Sequence, residues 1–201
     1  MMPIRVARTV SAAGAAIAAC CALLIAATPG NAAPTETSYT ANGVTHLAGL
    51  EADLPLGPGQ ADVDIDLQTG DLTAEIELPE TRTDFTMFGF LPTYAHVQIK
   101  QAGVLEGTYR NGAVTVAGDF SVQISEVGHL ALAIPMENCR TTEPVSITLE
   151  SEGKFLPADG GTLTGTYKLP EFADCNFDTP IINALVAGKE HSISIDLASA
   201  S

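Results

Sequence analysis

Nine segments of this chain alternate apolar with polar residues, or concentrate β-branched ones, over five to eight residues each: Asp62–Leu67, Leu72–Leu78, Tyr94–Gln101, Ala113–Ala117, Phe120–Val127, His129–Ile134, Val145–Glu150, Leu163–Leu169 and Ser192–Leu197. A two-residue period puts successive side chains on opposite faces, which is the signature of a strand buried on one side. Turn chemistry separates the segments at Thr69-Gly70-Asp71, Asn111-Gly112, Gly118-Asp119 and Asp159-Gly160-Gly161. Asn111-Gly112 is the strongest of these, because both residues tolerate the positive φ of a type I′ hairpin turn. Strands at such short, regular spacing predict an all-β antiparallel fold, a sandwich or a barrel-like sheet.

One helix interrupts the pattern. Thr179 can cap it, Pro180 suits its first position and Gly188 suits the left-handed residue beyond its end. Ile181, Ile182, Leu185 and Val186 then share one face, which predicts packing over an edge or open end of the sheets.

A faint duplication runs through the chain. Leu72-Thr73 and Leu78-Pro79-Glu80 recur with identical spacing as Leu163-Thr164 and Leu169-Pro170-Glu171, and His46-Leu47-Ala48 matches His129-Leu130-Ala131. Two pseudo-repeated β-units are the corresponding expectation.

The first 32 residues read as an export signal. Arg5 and Arg8 make a positive n-region, Thr9 to Ala27 is uncharged and apolar, and Gly30-Asn31-Ala32 places small residues where a signal peptidase reads. Cleavage after Ala32 leaves a flexible N-terminal segment, 33–42, and a single β domain, 43–201, with no transmembrane segment. A competing reading takes Ile17-Ala18-Ala19-Cys20 as a lipid-anchor motif, but the hydrophobic run continues past Cys20 where a polar tether belongs.

Removing two arginines and no acids takes the net charge from −15 to −17. Nucleic acid and anionic membranes would repel such a surface. The absence of tryptophan weakens a carbohydrate-binding reading. Cys139 and Cys175 are the only cysteines beyond the leader, and both fall at the open base of a hairpin formed by Pro144–Ser151 and Thr162–Leu169. In an oxidising compartment that placement predicts a disulfide. Neither cysteine has the spacing of a zinc ligand.

Two stretches are candidate binding sites. In the first, Asp62, Asp64 and Asp66 share one face of their strand, and Glu75 and Glu77 share a face of the next. Pairing Leu67 with Leu72 sets Asp64 beside Glu75 and Asp62 beside Glu77, an opposition that a cation such as Ca²⁺ would relieve. The stretch is not an EF-hand, since Leu67 and Thr73 occupy the positions that require glycine and glutamate. The competing reading is a solvated acidic face. In the second stretch, Phe85, Phe88 and Phe90 concentrate the aromatics; they fill the core, with Phe88 buried, or line an apolar cavity for a lipid-like ligand.

No nucleophile motif is present, neither GxSxG nor HExxH. His96 is expected to face solvent, and His191, on the side of Ile193 and Ile195, to be a satisfied core histidine. No cofactor or catalytic residue is implied.

Leu54-Pro55-Leu56-Gly57-Pro58-Gly59, Phe88-Gly89-Phe90-Leu91-Pro92, Asn138-Cys139-Arg140-Thr141, Gly160-Gly161-Thr162-Leu163-Thr164-Gly165-Thr166-Tyr167 and Thr179-Pro180, in that order, resemble a group of small secreted proteins of actinomycete bacteria. The resemblance implies export, the disulfide and a β fold, and carries no activity. Three classes of function follow: a non-enzymatic secreted or cell-envelope β-protein that binds a partner, an envelope component or an apolar ligand; a purely structural surface protein; or a hydrolase whose site the sequence does not display.

Overall fold

A computed structural model describes residues 35–130 and 132–200. The expected export signal and lipid-anchor cysteine Cys20, with Cys21, lie outside these residues. Twelve strands form one sheet: β1 Thr35–Leu47, β2 Ala52–Ile65, β3 Asp71–Glu77, β4 Thr81–Met87, β5 Leu91–Arg110, β6 Ala113–His129, β7 Leu132–Pro135, β8 Arg140–Thr141, β9 Val145–Ser151, β10 Gly160–Lys168, β11 Phe172–Ala173 and β12 Glu190–Ser199. The helix α1, Thr179–Val186, follows a short 3₁₀ turn at Asn176–Asp178. All of these elements lie within the compact unit 32–201.

Eight strands close into an antiparallel barrel. The ring runs β6-β9-β10-β12-β1-β2-β3-β5, and β5 pairs back onto β6 over most of its length. Closure removes the exposed sheet edges of the eight. The other four strands are outside the ring: β4 on β5, β7 and β8 on β6, and β11 on β8.

Alternation decides which face is inside. Val63 and Ile65 of β2, Leu72 and Ala74 of β3, Val114 and Val116 of β6, and Ile193, Ile195 and Leu197 of β12 are buried, with exposed or half-buried neighbours between them. The outward residues of β2 and β3 include Asp62, Asp64, Glu75 and Glu77. An apolar interior and acidic wall is the reverse of a barrel built to face lipid. No helix among the described residues is long and apolar enough to cross a membrane.

The topology repeats after four places around the ring, matching β1 with β6, β2 with β9, β3 with β10 and β5 with β12. The two recurring sequence blocks fall on the equivalent strands β3 and β10, and His46 and His129 stand at the ends of β1 and β6. After each block the chain leaves the ring. The first half folds β4 back onto β5; the second forms β11, the 3₁₀ turn and α1.

Three expectations are corrected. Residues 35–42 are not a flexible segment but the first part of β1, paired with β2 and, from Tyr39 onward, with β12 as well, because Tyr39 and Ala41 point inward and are fully buried. Gly118-Asp119 is not a turn; β6 runs through it against Ile147 and Ser146. A Cβ on Gly118 would collide with the Leu105 side chain, so this glycine makes room for a packed leucine. The third correction concerns the acidic hairpin, whose register is offset by two residues: Asp62 faces Glu75, Asp64 faces Thr73, and Ile65 faces Leu72. Asp66 has left the strand to build the turn. Its carboxylate accepts the N–H groups of Gln68 at 2.7 Å and Thr69 at 3.2 Å.

Cys139 and Cys175 are disulfide-bonded, with Cα atoms 4.3 Å apart. The bond ties the segment leading into β8 to the segment leading into α1, at the base of the β9–β10 hairpin.

Candidate functional site

The two ends of the barrel differ. At one end, Phe155 from the β9–β10 loop plugs the interior, packing edge-on against Tyr39 with ring centroids 5.7 Å apart. The Tyr39 hydroxyl donates to the Pro157 carbonyl at 2.6 Å, and the Phe155 N–H donates to the Gly112 carbonyl at 2.8 Å. At the other end, α1 lies across the opening. Its predicted face, Ile181, Ile182, Leu185 and Val186, lines a chamber of about 80 Å³ together with Phe85, Met87 and Tyr167 among others.

Two smaller voids, of about 50 and 40 Å³, continue the chamber along the interior. Ile99, Val122 and Tyr167 line both the chamber and the first void; Ile76, Leu105 and Leu149 line both voids. Apolar cavities of this kind stay dry and accept small apolar molecules. The chamber is smaller than the several hundred Å³ of ordinary ligand pockets, so as it stands it admits a short apolar group.

Polar groups at the chamber wall are satisfied. The Thr45 hydroxyl donates to the Ser192 carbonyl at 2.8 Å, which leaves the Tyr167 hydroxyl to donate to Thr45 Oγ1 at 2.8 Å. Burial raises the Tyr167 pKa, so its hydroxyl stays protonated. Thr83 donates to the Asp53 carbonyl at 3.0 Å.

Helix α1 is fastened at its middle and at its end. Midway along it the Asn183 side chain pairs with β11, accepting the Phe172 N–H at 2.7 Å and donating to the Phe172 carbonyl at 3.1 Å. At its end the His191 imidazole is inserted between the Ala48 N–H, which donates to Nδ1 at 3.2 Å, and the Val186 carbonyl, 3.0 Å from Nε2. His191 is the satisfied core histidine expected from its position, and burial holds its pKa below the ordinary value.

Among the described residues Asp178 is the only charged one lining the chamber. Its Oδ2 lies 3.8 Å from His129 Nε2, and His129 Nδ1 lies 3.2 Å from the Thr93 hydroxyl. This line of three has the composition of an activated-hydroxyl relay. However, Thr93 is buried and its hydroxyl donates to the Leu91 carbonyl at 3.1 Å. It is not among the residues lining the chamber, so it presents no nucleophile there.

The aromatic stretch divides. Phe85 is half-buried on the core and lines the chamber. The core burial expected of Phe88 is overturned: Phe88 is 63% exposed and Phe90 76%, at the tip of the β4–β5 hairpin, while Met87 between Phe85 and Phe88 is buried. A tip residue has no sheet on its far side to pack against. Three further exposed apolar residues stand at the same end, unflagged by sequence reasoning: Leu130 and Leu132 in the β6–β7 hairpin and Phe177, 95% exposed, in the 3₁₀ turn. The Leu130 N–H donates to the Pro92 carbonyl, which joins the two hairpins, and Asp178 beside His129 brings in the 3₁₀ turn. Leu130 and Leu132 fell within His129–Ile134, expected as one strand but broken by the turn between β6 and β7. Phe177 had isolation as its signal: it sits between Asn176 and Asp178, where an apolar side chain serves no periodic face.

The five acids of the β2–β3 hairpin do not converge on one point. Asp66 serves the turn, and the Ser38 hydroxyl donates to Asp62 at 2.6 Å. Among the described residues no group of three His, Cys, Asp or Glu side chains is placed to hold a metal ion.

Fold and site together define a helix-capped, closed β-barrel with a dry apolar chamber beneath the helix. No family model, curated protein or solved structure matches this chain.

Proposed function

We propose that this is a secreted or cell-envelope, non-enzymatic β-protein that holds an apolar ligand at the α1 end of its barrel. One observation carries the reading. The chamber under α1 has an almost wholly apolar wall, built from the apolar face of the helix and from Phe85 and Met87 at the same end of the barrel. A core built only for stability would fill such a space, since a void forfeits contacts on its lining. Export is supported by the leader-like residues 1–32 and by a disulfide of the kind kept in oxidising compartments.

The test is direct. Xenon or benzene titrated into the protein should shift methyl resonances of chamber residues such as Ile182 and Leu185, and a copurifying lipid should appear in native mass spectra of protein taken from its own culture medium. Ala95 lines the chamber and is buried, so Ala95→Leu fills the space from within. That variant should keep its fold and lose the titration. Unchanged resonances in the native protein at saturating xenon and benzene would sink the ligand reading in favour of a purely structural protein.

A further inference from the structure

We infer that the α1 end of the barrel docks on an uncharged lipid surface, seating Phe88, Phe90, Leu130, Leu132 and Phe177 in its outer layer. Three independent observations converge on this face. The first is exposure: these five side chains, on two hairpins and the 3₁₀ turn, are between 63% and 95% accessible. Clustered exposure of large apolar groups is uncommon on a monomer and marks an interaction surface.

The second is backbone conformation. Phe88 and Leu130, at the tips of their hairpins, hold φ of +55° and +57°. Bulky apolar residues are rarely found in this left-handed region, where glycine or asparagine meets no penalty. A tip selected for turn formation alone would carry one of those. The chain accepts local strain at two tips in order to display a phenyl ring and an isobutyl group, and strain of this kind collects at working surfaces. A Cβ added at Gly89 would meet nothing within 4 Å, so the β4–β5 tip is open at that residue.

The third is charge, and it selects the partner. In a chain with 24 acidic residues, no Asp, Glu, Lys or Arg occurs between Asp84 and Lys100 or between Glu126 and Glu137. Both hairpin tips are thus stripped of charge. The charged groups just behind them are tied up: Arg82 pairs with Asp84 at 2.6 Å, and Glu126 accepts the Tyr94 hydroxyl at 2.7 Å. The Phe177 loop carries acids, exposed Asp174 and the largely buried Asp178 beside His129, so the charge-free part of the face is the two hairpin tips. A neutral pair of tips on an acidic body fits a zwitterionic or uncharged lipid layer. An anionic layer would repel the body, and so would a second copy of the same chain brought face to face.

The surface stands on the tips and not on the chamber, so docking and ligand binding fail separately. The experiment is flotation of residues 32–201, which contain every strand, the disulfide and α1, with phosphatidylcholine vesicles. The native unit should float with the vesicles, and replacing part of the phosphatidylcholine with phosphatidylglycerol should weaken binding. The double variant Phe88→Asn with Leu130→Asn relieves both left-handed positions. It should unfold at the same temperature or higher and lose binding by about tenfold or more. Phe90→Ser with Phe177→Ser, away from the strained positions, should show the same loss. Absence of flotation by the native unit, or equal flotation by both variants, would overturn docking even if xenon still binds the chamber. A dimer in sedimentation velocity that either variant dissolves would reassign the face to a second copy of the chain.

Discussion

The Nε2 atom of His191 donates to the carbonyl oxygen of Val186, 3.0 Å away, and this bond holds the last turn of α1 against the barrel. The proton must be on Nε2, because Nδ1 accepts the Ala48 N–H. One neutral imidazole thus fastens both the helix and the β1–β2 turn.

Two results follow for His191. His191→Phe leaves the Ala48 N–H and the Val186 carbonyl unpaired, at a cost of about 1–3 kcal/mol for each group that water cannot reach. Because burial lowers the folded pKa, the unfolded chain binds the proton more readily below about pH 6.5. The contribution of His191 is therefore complete above that pH and is lost as pH falls toward the folded value. Urea midpoints at pH 7.5 and 5.5 should fall more steeply in the native protein than in His191→Phe. Equal slopes would remove the histidine from the account.

The disulfide closes a loop with a sequence separation of 36. Cys139→Ser or Cys175→Ser should lower the thermal midpoint of the oxidised protein, through a loss of stability of roughly 3–4 kcal/mol in the chain-entropy picture. Under reductant, variant and native protein should melt together.

On the acidic hairpin, EDTA and millimolar Ca²⁺ should give the same melting temperature. Glu75→Gln removes the like charge facing Asp62 and should stabilise by about half a kcal/mol. Asp66→Ala should destabilise, because the turn loses the acceptor of two N–H groups that also hold the Asp66 carboxyl below its ordinary pKa. Its contribution is present above the unfolded carboxylate pKa and fades on acidification. A Ca²⁺-dependent rise in melting temperature that Asp64→Asn with Glu75→Gln abolishes would turn this face into a cation site.

Two phenylalanines should respond in opposite ways. Phe155 is buried against Tyr39 and closes one barrel end, so Phe155→Ala should cost about 3–5 kcal/mol. Phe88 is exposed at a strained tip, and Phe88→Ala should leave stability within about 0.5 kcal/mol. Chemical denaturation of the two single variants is sufficient to check the contrast.

Much of the candidate site was legible before any coordinates. The face Ile181, Ile182, Leu185 and Val186 was assigned from helical spacing and lines the chamber as a unit. The pairing of Cys139 with Cys175 followed from their places at the base of one hairpin. Legibility ended where a residue's role depends on something distant. Tyr39 looked like part of a flexible N-terminal segment because two of its partners, β12 and Phe155, lie more than a hundred residues away. Phe88 looked like core because hydrophobicity is visible in a sequence, whereas the lack of a covering sheet is not.

What this sequence determined by itself is local. Alternation with period two sets which side chains share a face, turn residues set where most strands reverse, and Pro180 with Gly188 brackets a helix. Those properties depend on sterics and hydrogen bonds between near neighbours in the chain, so they survive in any all-β arrangement. Only the tertiary structure decided that β5 meets β6 and β12 meets β1 to close a ring, that Asp62 rather than Asp64 faces Glu75, and that three separate loops bring Phe88, Leu130 and Phe177 to one end. Register and closure are set by the burial of a whole interior at once. Each pairing is decided by contacts summed over the barrel, and no single segment carries that information.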